Sequence, residues 1–381
     1  MITTVCRCPD NTIKLGFGFG KKEKGTFEKF PVVATFHKDV KYLDTVCFAP
    51  KAVGGKKRQI VVAGGSHKEL NYFDVKQDPP TLVEILTPGF IDDKTKREYD
   101  RVKISNPVTI IEYTPDGQLL GLGGGDMSSN ESEFVVFEEV PTNGAKESAG
   151  KVTLRICGQK MVIPGKPIRA LCFSPDKKVL AVGGESNSLM LYMLTRDGGG
   201  VTGPIPRCEI ALGRCIRDMV FVSDPSFEDS PLILAVGGGG SLTLHDLSEI
   251  ENKRIEVPRG AYRTLPVDGD LCNLGFYSRK KNDKTGGPPI LALSVQSSRP
   301  SQTRSSKLLL WLDGIPHPNN ELSTDPPWPP FDYVMNQNIF SDEEIENMLE
   351  RCSEEQRKAI VVTCSNQACV TMIKFSDCAF N

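Results

Sequence analysis

The sequence predicts an all-β fold made of repeated antiparallel sheets, and three observations predict it. Five segments share one order: an apolar strand, a turn, a second strand, a glycine-rich turn and a third strand. They begin at Leu43, Val108, Ile168, Ile216 and Cys272. The strands show partial alternation of apolar and polar residues, as in SLTLHDL, which is typical of half-buried strands. Each first strand also ends in an aromatic residue, namely Phe48, Tyr113, Phe173, Phe221 and Phe276.

The turns of these repeats have their own signals. Pro115-Asp116-Gly117 and Pro175-Asp176 predict tight turns between first and second strands, because proline fixes φ and aspartate closes the turn with its side chain. Four consecutive glycines, residues 237–240, follow an apolar strand in ILAVGGGGSLTLHDL. A phosphate-binding loop would lead into a helix, but these glycines lead into a strand. They therefore predict a hairpin turn, and no direct binding of nucleotide is expected.

This pattern resembles the WD-repeat family of β-propellers. The Trp-Asp pair that ends the family's repeats is present in degenerate form, as Phe73-Asp74, His245-Asp246 and Trp311-Leu312-Asp313, and the family's Gly-His pair is missing. The resemblance implies a WD-repeat-like β-propeller over residues 1–381 as a single domain. Segments at both ends, TIKLGFGFGKKEKGTFEKF and AIVVTCSNQACVTMIKF, look like further hairpins. Seven blades are therefore expected, with six as the alternative.

One insertion interrupts the repeats at about residues 316–358. Its first part contains DPPWPPF, which is too rich in proline for an interior strand. The second part, SDEEIENMLERCSEEQRKA, begins with a capping box at Ser341 and Glu344 and carries apolar residues at helical spacing. It predicts one short amphipathic helix, which either packs on the side of the propeller or docks a partner.

Composition excludes several classes of function. The formal net charge of -2 argues against a general nucleic-acid binder, since such proteins are usually basic. No apolar stretch is long enough for a membrane span, and the N-terminus has no signal-peptide pattern. The 12 cysteines form no CxxC pair, and only four histidines are present. We expect a cytoplasmic protein with reduced thiols, no metal site, no cofactor and no catalytic residues.

Two sets of residues are candidate partner-binding positions. Lysines and arginines cluster between the first and second strands of three repeats, and in a propeller such loops share one face. These are Lys56, Lys57, Arg58, Lys177, Lys178, Arg279, Lys280 and Lys281. They predict an anionic partner, although the equivalent loop at Phe227-Glu228-Asp229 is acidic and exposed loops are often simply solvated by lysine.

The second set belongs to the opposite face. GGGDMSSNESE, residues 123–133, reads as the longest insertion between second and third strands, and it is polar and acidic. Its candidate contacts are Gly125, Asp126, Ser128 and Asn130, and Trp328 of the proline-rich segment is a further candidate. A surface loop without a role is the alternative interpretation.

The leading hypothesis is a non-catalytic scaffold for protein–protein interactions within a larger assembly. A narrower resemblance supplies the alternative. LALSVQSSRPSQTRSSKLLLWLDG looks like a hairpin of the propeller exchange factors for Sar-type GTPases, the prolactin regulatory element-binding protein-like family. That resemblance implies a small GTPase as partner, guanine-nucleotide exchange in ER-to-Golgi (COPII) vesicle formation, a structural potassium ion in a glycine-rich loop, and the cytosolic face of the endoplasmic reticulum.

Overall fold

The structure is a computed structural model, and all its regular elements within the residues it describes are β-strands. The described residues are 2–7, 12–18, 32–35, 43–49, 60–65, 70–74, 81–86, 106–140 without 115 and 129, 153–197, 200–222, 231–252, 260–261, 263–266, 270–277, 290–296, 306–311 and 333–336. Six sheets lie within these ranges, and the strand pairs of five of them are antiparallel. The predicted all-β class is confirmed.

The strands follow one another along the chain sheet by sheet. Sheet 1 contains β1 (Ile2–Arg7), β2 (Thr12–Gly18) and β3 (Val32–Thr35). Sheet 2 contains β4 (Leu43–Ala49), β5 (Ile60–Gly65), β6 (Leu70–Asp74) and β7 (Thr81–Leu86). Sheet 3 contains β8 (Val108–Tyr113), β9 (Leu119–Gly125), β10 (Glu131–Val140), β11 (Thr153–Ile156) and β12 (Met161–Pro164).

The remaining sheets repeat the same order. Sheet 4 contains β13 (Ile168–Phe173), β14 (Val179–Gly184), β15 (Ser188–Asp197) and β16 (Gly200–Ala211). Sheet 5 contains β17 (Asp218–Val222), β18 (Ile233–Gly238), β19 (Ser241–Asp246) and β20 (Arg263–Pro266). Sheet 6 contains β21 (Asp270–Tyr277), β22 (Ile290–Gln296), β23 (Ser306–Trp311) and β24 (Tyr333–Asn336).

Each of sheets 2, 4, 5 and 6 is an up-and-down meander with neighbouring strands paired in chain order, and sheet 3 follows the same order from β8 to β11. The five repeats found in the sequence correspond to these five sheets, and the aromatic residue lies at or next to the end of each first strand. Sequence reasoning recognised three strands per repeat and missed the outer ones. In sheets 2, 4, 5 and 6 a fourth strand completes the meander, and in sheet 3 β11 and β12 pair with successive parts of β10.

Sheets 2, 3 and 4 belong to one compact unit of the chain, and sheets 5 and 6 belong to another. Within the first unit, β4 lies beside β8 and β8 lies beside β13. Within the second unit, β17 lies beside β21. First strands of successive sheets are thus neighbours, which is the arrangement of blades in a WD-repeat-like β-propeller. The number of blades stays a prediction, because the C-terminal hairpin lies outside the described residues.

Apolar side chains fill the space between successive sheets. Between sheets 3 and 4, Phe134 and Val136 of β10 pack in one buried cluster with Ile168 and Phe173 of β13. The rings of Phe134 and Tyr192 meet edge to face, with their centroids 4.8 Å apart. Such aromatic pairs add to the free energy gained by burial of their surface. Two similar clusters join sheet 2 to sheet 3 and sheet 5 to sheet 6.

The glycines after the second strands have two roles, and the sequence revealed only one. Gly239 and Gly240 form the turn between β18 and β19 with φ of 53° and 75°, as predicted. Gly237 and Gly238 lie within β18, so the prediction of a turn over all four glycines is wrong. The side chain of Leu271 at the start of sheet 6 occupies the space that a Cβ at Gly237 would need.

The predicted insertion at 316–358 contains a strand that the sequence did not indicate. Tyr333–Asn336 forms β24 and pairs with β23, with Leu309 opposite Val334. The rest of the insertion, including the predicted amphipathic helix, lies outside the described residues. In the part of the chain that the structure describes, no helix has the length and apolar character needed to cross a membrane.

Candidate interaction surfaces

The turn between the first and second strands of sheet 3 is closed by Asp116. The Asp116 carboxylate accepts hydrogen bonds from Thr114 Oγ1 at 2.8 Å and from the backbone N–H of Gln118 at 3.1 Å. Thr114 Oγ1 in turn accepts a hydrogen bond from the backbone N–H of Leu119 at 3.0 Å. The side chains therefore satisfy backbone donors that the tight turn leaves unpaired, as the Pro-Asp signal predicts.

Sheet 4 repeats this turn, with Ser174 in place of Thr114 and Lys177 in place of Gly117. Asp176 Oδ1 accepts from Ser174 Oγ at 2.5 Å and from the backbone N–H of Lys178 at 3.1 Å. The left-handed position, which is Gly117 in sheet 3 with φ of 67°, is Lys177 in sheet 4 with φ of 62°. A side chain in this conformation costs about 1 kcal/mol relative to glycine. Contacts made by the Lys177 side chain can offset this strain.

Lys177 makes those contacts with the turn of the neighbouring sheet. Its Nζ lies 2.5 Å from Asp116 Oδ2 and donates to Gln118 Oε1 at 2.8 Å. Partial burial raises the pKa of Asp116, but hydrogen bonds from Lys177, Gln118 and Thr114 oppose burial, and the net effect lowers the pKa below its ordinary value. Lys177 thus links sheets 3 and 4.

The other described cations on this side also have polar partners. Lys178 Nζ lies 3.9 Å from Asp176 Oδ2, and its side chain is 52% exposed. Arg155 pairs with Glu138. These pairings reduce the positive charge that the described turns present, so the expected anionic partner stays a prediction. The other basic candidates lie outside the residues whose side chains are described: Lys56, Lys57, Arg58, Arg279, Lys280 and Lys281.

On the opposite side, the turn between β9 and β10 is shorter than the sequence indicated. Gly125 is the last residue of β9 and is buried, whereas β10 begins at Glu131. The turn is therefore residues 126–130, hereafter the 126–130 turn, and the predicted long insertion over residues 123–133 is wrong. Ser132 and Glu133 are buried within β10, because the strand pairs with both β9 and β12.

Hydrogen bonds fix the 126–130 turn to the chain that precedes sheet 4. Lys166 Nζ donates to the carbonyl oxygen of Met127 at 2.9 Å, and the backbone N–H of Gly165 donates to the carbonyl oxygen of Asn130 at 2.7 Å. Ser132 Oγ donates to the carbonyl oxygen of Lys166 at 2.7 Å. Two of these bonds end on carbonyl oxygens of the turn, and the third holds the start of β10 to the same segment.

The described side chains of the 126–130 turn, which leave out residue 129, face solvent. Asp126, Ser128 and Asn130 are exposed, and Met127 is a large apolar side chain with 54% exposure. Hydrogen bonds from the backbone and side chain of Ser128 lower the pKa of Asp126, so its carboxylate is ionised at neutral pH. The turn therefore presents one apolar side chain surrounded by polar groups.

Glu133 is a buried charge that sequence reasoning missed. Its side chain is 4% exposed, and Oε2 lies 2.7 Å from Lys160 Nζ. Oε1 accepts a hydrogen bond from the backbone N–H of Asn106 at 2.7 Å. Strand alternation could have indicated this burial, because Glu133 lies on the same face of β10 as the apolar residues Val135 and Phe137.

His245 and Asp246, the degenerate Trp-Asp pair of sheet 5, form hydrogen bonds at the end of β19. His245 is buried, and its Nε2 lies 3.1 Å from Thr243 Oγ1. Asp246 accepts hydrogen bonds from the backbone N–H of Ser248 at 3.0 Å and from Ser248 Oγ at 2.7 Å. Among the described residues, no group of His, Cys, Asp and Glu could hold a metal ion. Trp328 lies outside the described residues.

Prolines occur on the outer strands of sheets 3, 4 and 5. Pro204 and Pro206 lie in β16, Pro164 lies in β12, and Pro266 lies in β20. A proline has no N–H to donate, which hinders the pairing of a further strand along these edges. The edges of these three sheets are therefore poor sites for strand addition, and their turns are the better candidates for recognition.

Comparisons with known proteins found no matching family model and no matching curated protein. Among solved structures, one similar chain comes from Chaetomium thermophilum Sqt1 bound to the N-terminus of the ribosomal protein L10. It is 14% identical with a TM-score of 0.47, over 81% of this chain and 69% of that chain. A chain of the Mitotic Checkpoint Complex is 11% identical with a TM-score of 0.44, and the match covers 80% of this chain and 74% of that chain. Neither likeness assigns a partner to this chain, whose own strand order and sheet packing give it a WD-repeat-like β-propeller fold.

Proposed function

We propose that this chain is a non-catalytic scaffold that binds a protein partner through the 126–130 turn. The observation that supports this proposal is the exposure of Met127 on a turn whose carbonyl oxygens accept hydrogen bonds from Gly165 and Lys166. Binding to a turn that such bonds already hold costs less conformational entropy than binding to an unconstrained loop. Recognition residues are often carried on such turns above a rigid scaffold.

The chemistry of the turn suits a protein surface. A methionine side chain is flexible and polarizable, so it can adapt to an apolar depression on a partner. Asp126, Ser128 and Asn130 would form the polar rim that surrounds the apolar centre of most protein interfaces. A nucleic acid is a poorer fit, since the ionised carboxylate of Asp126 would repel its phosphates.

The test compares two variants that differ only in position. Met127→Glu places a charge on the turn, and Val162→Glu places the same charge on β12, where the side chain is 53% exposed. The tagged full chain and both variants are purified from cells, and the proteins that co-purify are identified by mass spectrometry. We expect one or more partners to be lost with Met127→Glu and retained with Val162→Glu.

Identical sets of partners for all three proteins would overturn the proposal. Circular dichroism and a thermal unfolding curve for each variant exclude misfolding as the reason for a lost partner. Both substitutions lie on the surface, so we expect each to change the free energy of unfolding by less than about 0.5 kcal/mol.

The exchange-factor alternative rests on the resemblance of one hairpin. In that hairpin β22 pairs with β23, with Leu291 opposite Trp311. A small GTPase as partner, a potassium ion and a position at the endoplasmic reticulum remain predictions, as does the cytoplasmic location. Release of labelled nucleotide from a Sar-type GTPase, measured with and without this chain and with potassium or sodium in the buffer, tests the alternative. An unchanged release rate would count against it.

A further inference from the structure

We draw no further inference here: the strongest candidate, the surface patch formed by the exposed apolar side chains of Val162 on β12 and Ile205 on β16, at the outer strands of two neighbouring sheets, carries nothing because nothing in the structure shows what covers it.

Discussion

Ile216 packs directly against the backbone of Gly183, so that a Cβ at position 183 would lie 2.7 Å from Ile216 Cδ1. The same relationship joins Gly123 to Ile168, where the corresponding distance to Ile168 Cγ2 is 2.9 Å. Gly123 belongs to the second strand of sheet 3, and Ile168 begins the first strand of sheet 4. Gly123 therefore allows sheets 3 and 4 to approach closely, and Gly183 likewise makes room for Ile216 within the same unit of the chain.

The first prediction concerns this contact. Gly183→Ala should lower the free energy of unfolding by about 1–3 kcal/mol, because the added methyl group overpacks against Ile216. Ile216→Ala should lower it by about 2–5 kcal/mol through the cavity that it leaves. Chemical denaturation of the purified chain measures both changes.

A matched control for this prediction is Gly260→Ala, since a Cβ at Gly260 would meet nothing within 4 Å. It should change stability by less than about 0.5 kcal/mol. The double variant with Gly183→Ala and Ile216→Val should lose less than the sum of its single changes, because the smaller side chain makes room for the methyl group. Strict additivity would show that the two residues do not share this space.

The second prediction separates the strain at Lys177 from its ion pair. Lys177→Met keeps a side chain at φ of 62° and removes the contact with Asp116, so it should destabilise the protein by about 0.5–1 kcal/mol. Lys177→Gly removes the same contact but relieves the strain, so it should be about 1 kcal/mol more stable than Lys177→Met. Urea denaturation of the two variants measures the difference.

For this pair of variants, Lys178→Met is the control. Lys178 is exposed and its Nζ lies 3.9 Å from Asp176 Oδ2, so removal of its charge should leave the free energy of unfolding almost unchanged. If Lys177→Gly were less stable than Lys177→Met, the left-handed backbone at this position would not be a source of strain.

The third prediction is a dependence of stability on pH. The pKa of Asp116 is lower in the folded protein than its ordinary value of 3.8, mainly because the hydrogen bonds from Lys177 and the turn outweigh burial. A lowered folded pKa stabilises the protein above the ordinary pKa, and this contribution is lost as the pH falls through the folded pKa. The gap in unfolding free energy between the wild type and Asp116→Asn should therefore be constant near neutral pH.

Below the ordinary pKa of Asp116 the gap should shrink. Denaturation curves recorded from neutral pH down to strongly acidic pH measure it. Asp176→Asn offers a comparison at the equivalent position of sheet 4, where the carboxylate closes its own turn and lies 3.9 Å from Lys178. A gap for Asp116→Asn that widens on acidification would reverse the expected sign and contradict the prediction.

The fourth prediction concerns the buried pair of Glu133 and Lys160. Glu133→Gln leaves the Lys160 ammonium group without its carboxylate in a site where it is only 14% exposed, and should cost about 3 kcal/mol. Glu133→Leu combined with Lys160→Met should cost less than Glu133→Gln alone, because no charge is then buried. Thermal unfolding gives the order, and the exposed neighbour Glu131→Gln is the control.

The fifth prediction concerns thiol reactivity. Burial raises the pKa of the Cys157 thiol to about 12, and the nearby carboxylate of Glu138 adds to this effect. The thiolate is the reactive form, so Cys157 should resist iodoacetamide in the folded protein near pH 8. Cys208 and Cys215 are only partly buried and should react faster. Peptide mass spectrometry after timed labelling checks this order, and rapid labelling of Cys157 would contradict its burial.

Local patterns in the sequence indicated much of the fold. The repeated strand, turn and aromatic signals predicted five repeats, and each corresponds to one of sheets 2 to 6. Asp116 and Asp176 close their turns as the Pro-Asp signal predicts. The sequence did not indicate the outer strands, because they are short or interrupted by proline, as in GVTGPIPRCEIA of β16. Their pairing depends on the neighbouring strand more than on their own composition.

The candidate sites were less predictable than the fold. The sequence alone determined the all-β class, the repeat and the hairpin turn at Gly239 and Gly240, because these depend on local backbone preferences and on strand periodicity. Only the tertiary structure decided that Lys177 reaches Asp116, that Glu133 is buried with Lys160, and that Met127 stays exposed on a fixed turn. Each of these facts arises between residues far apart in the chain, and local preferences do not specify which distant side chains meet.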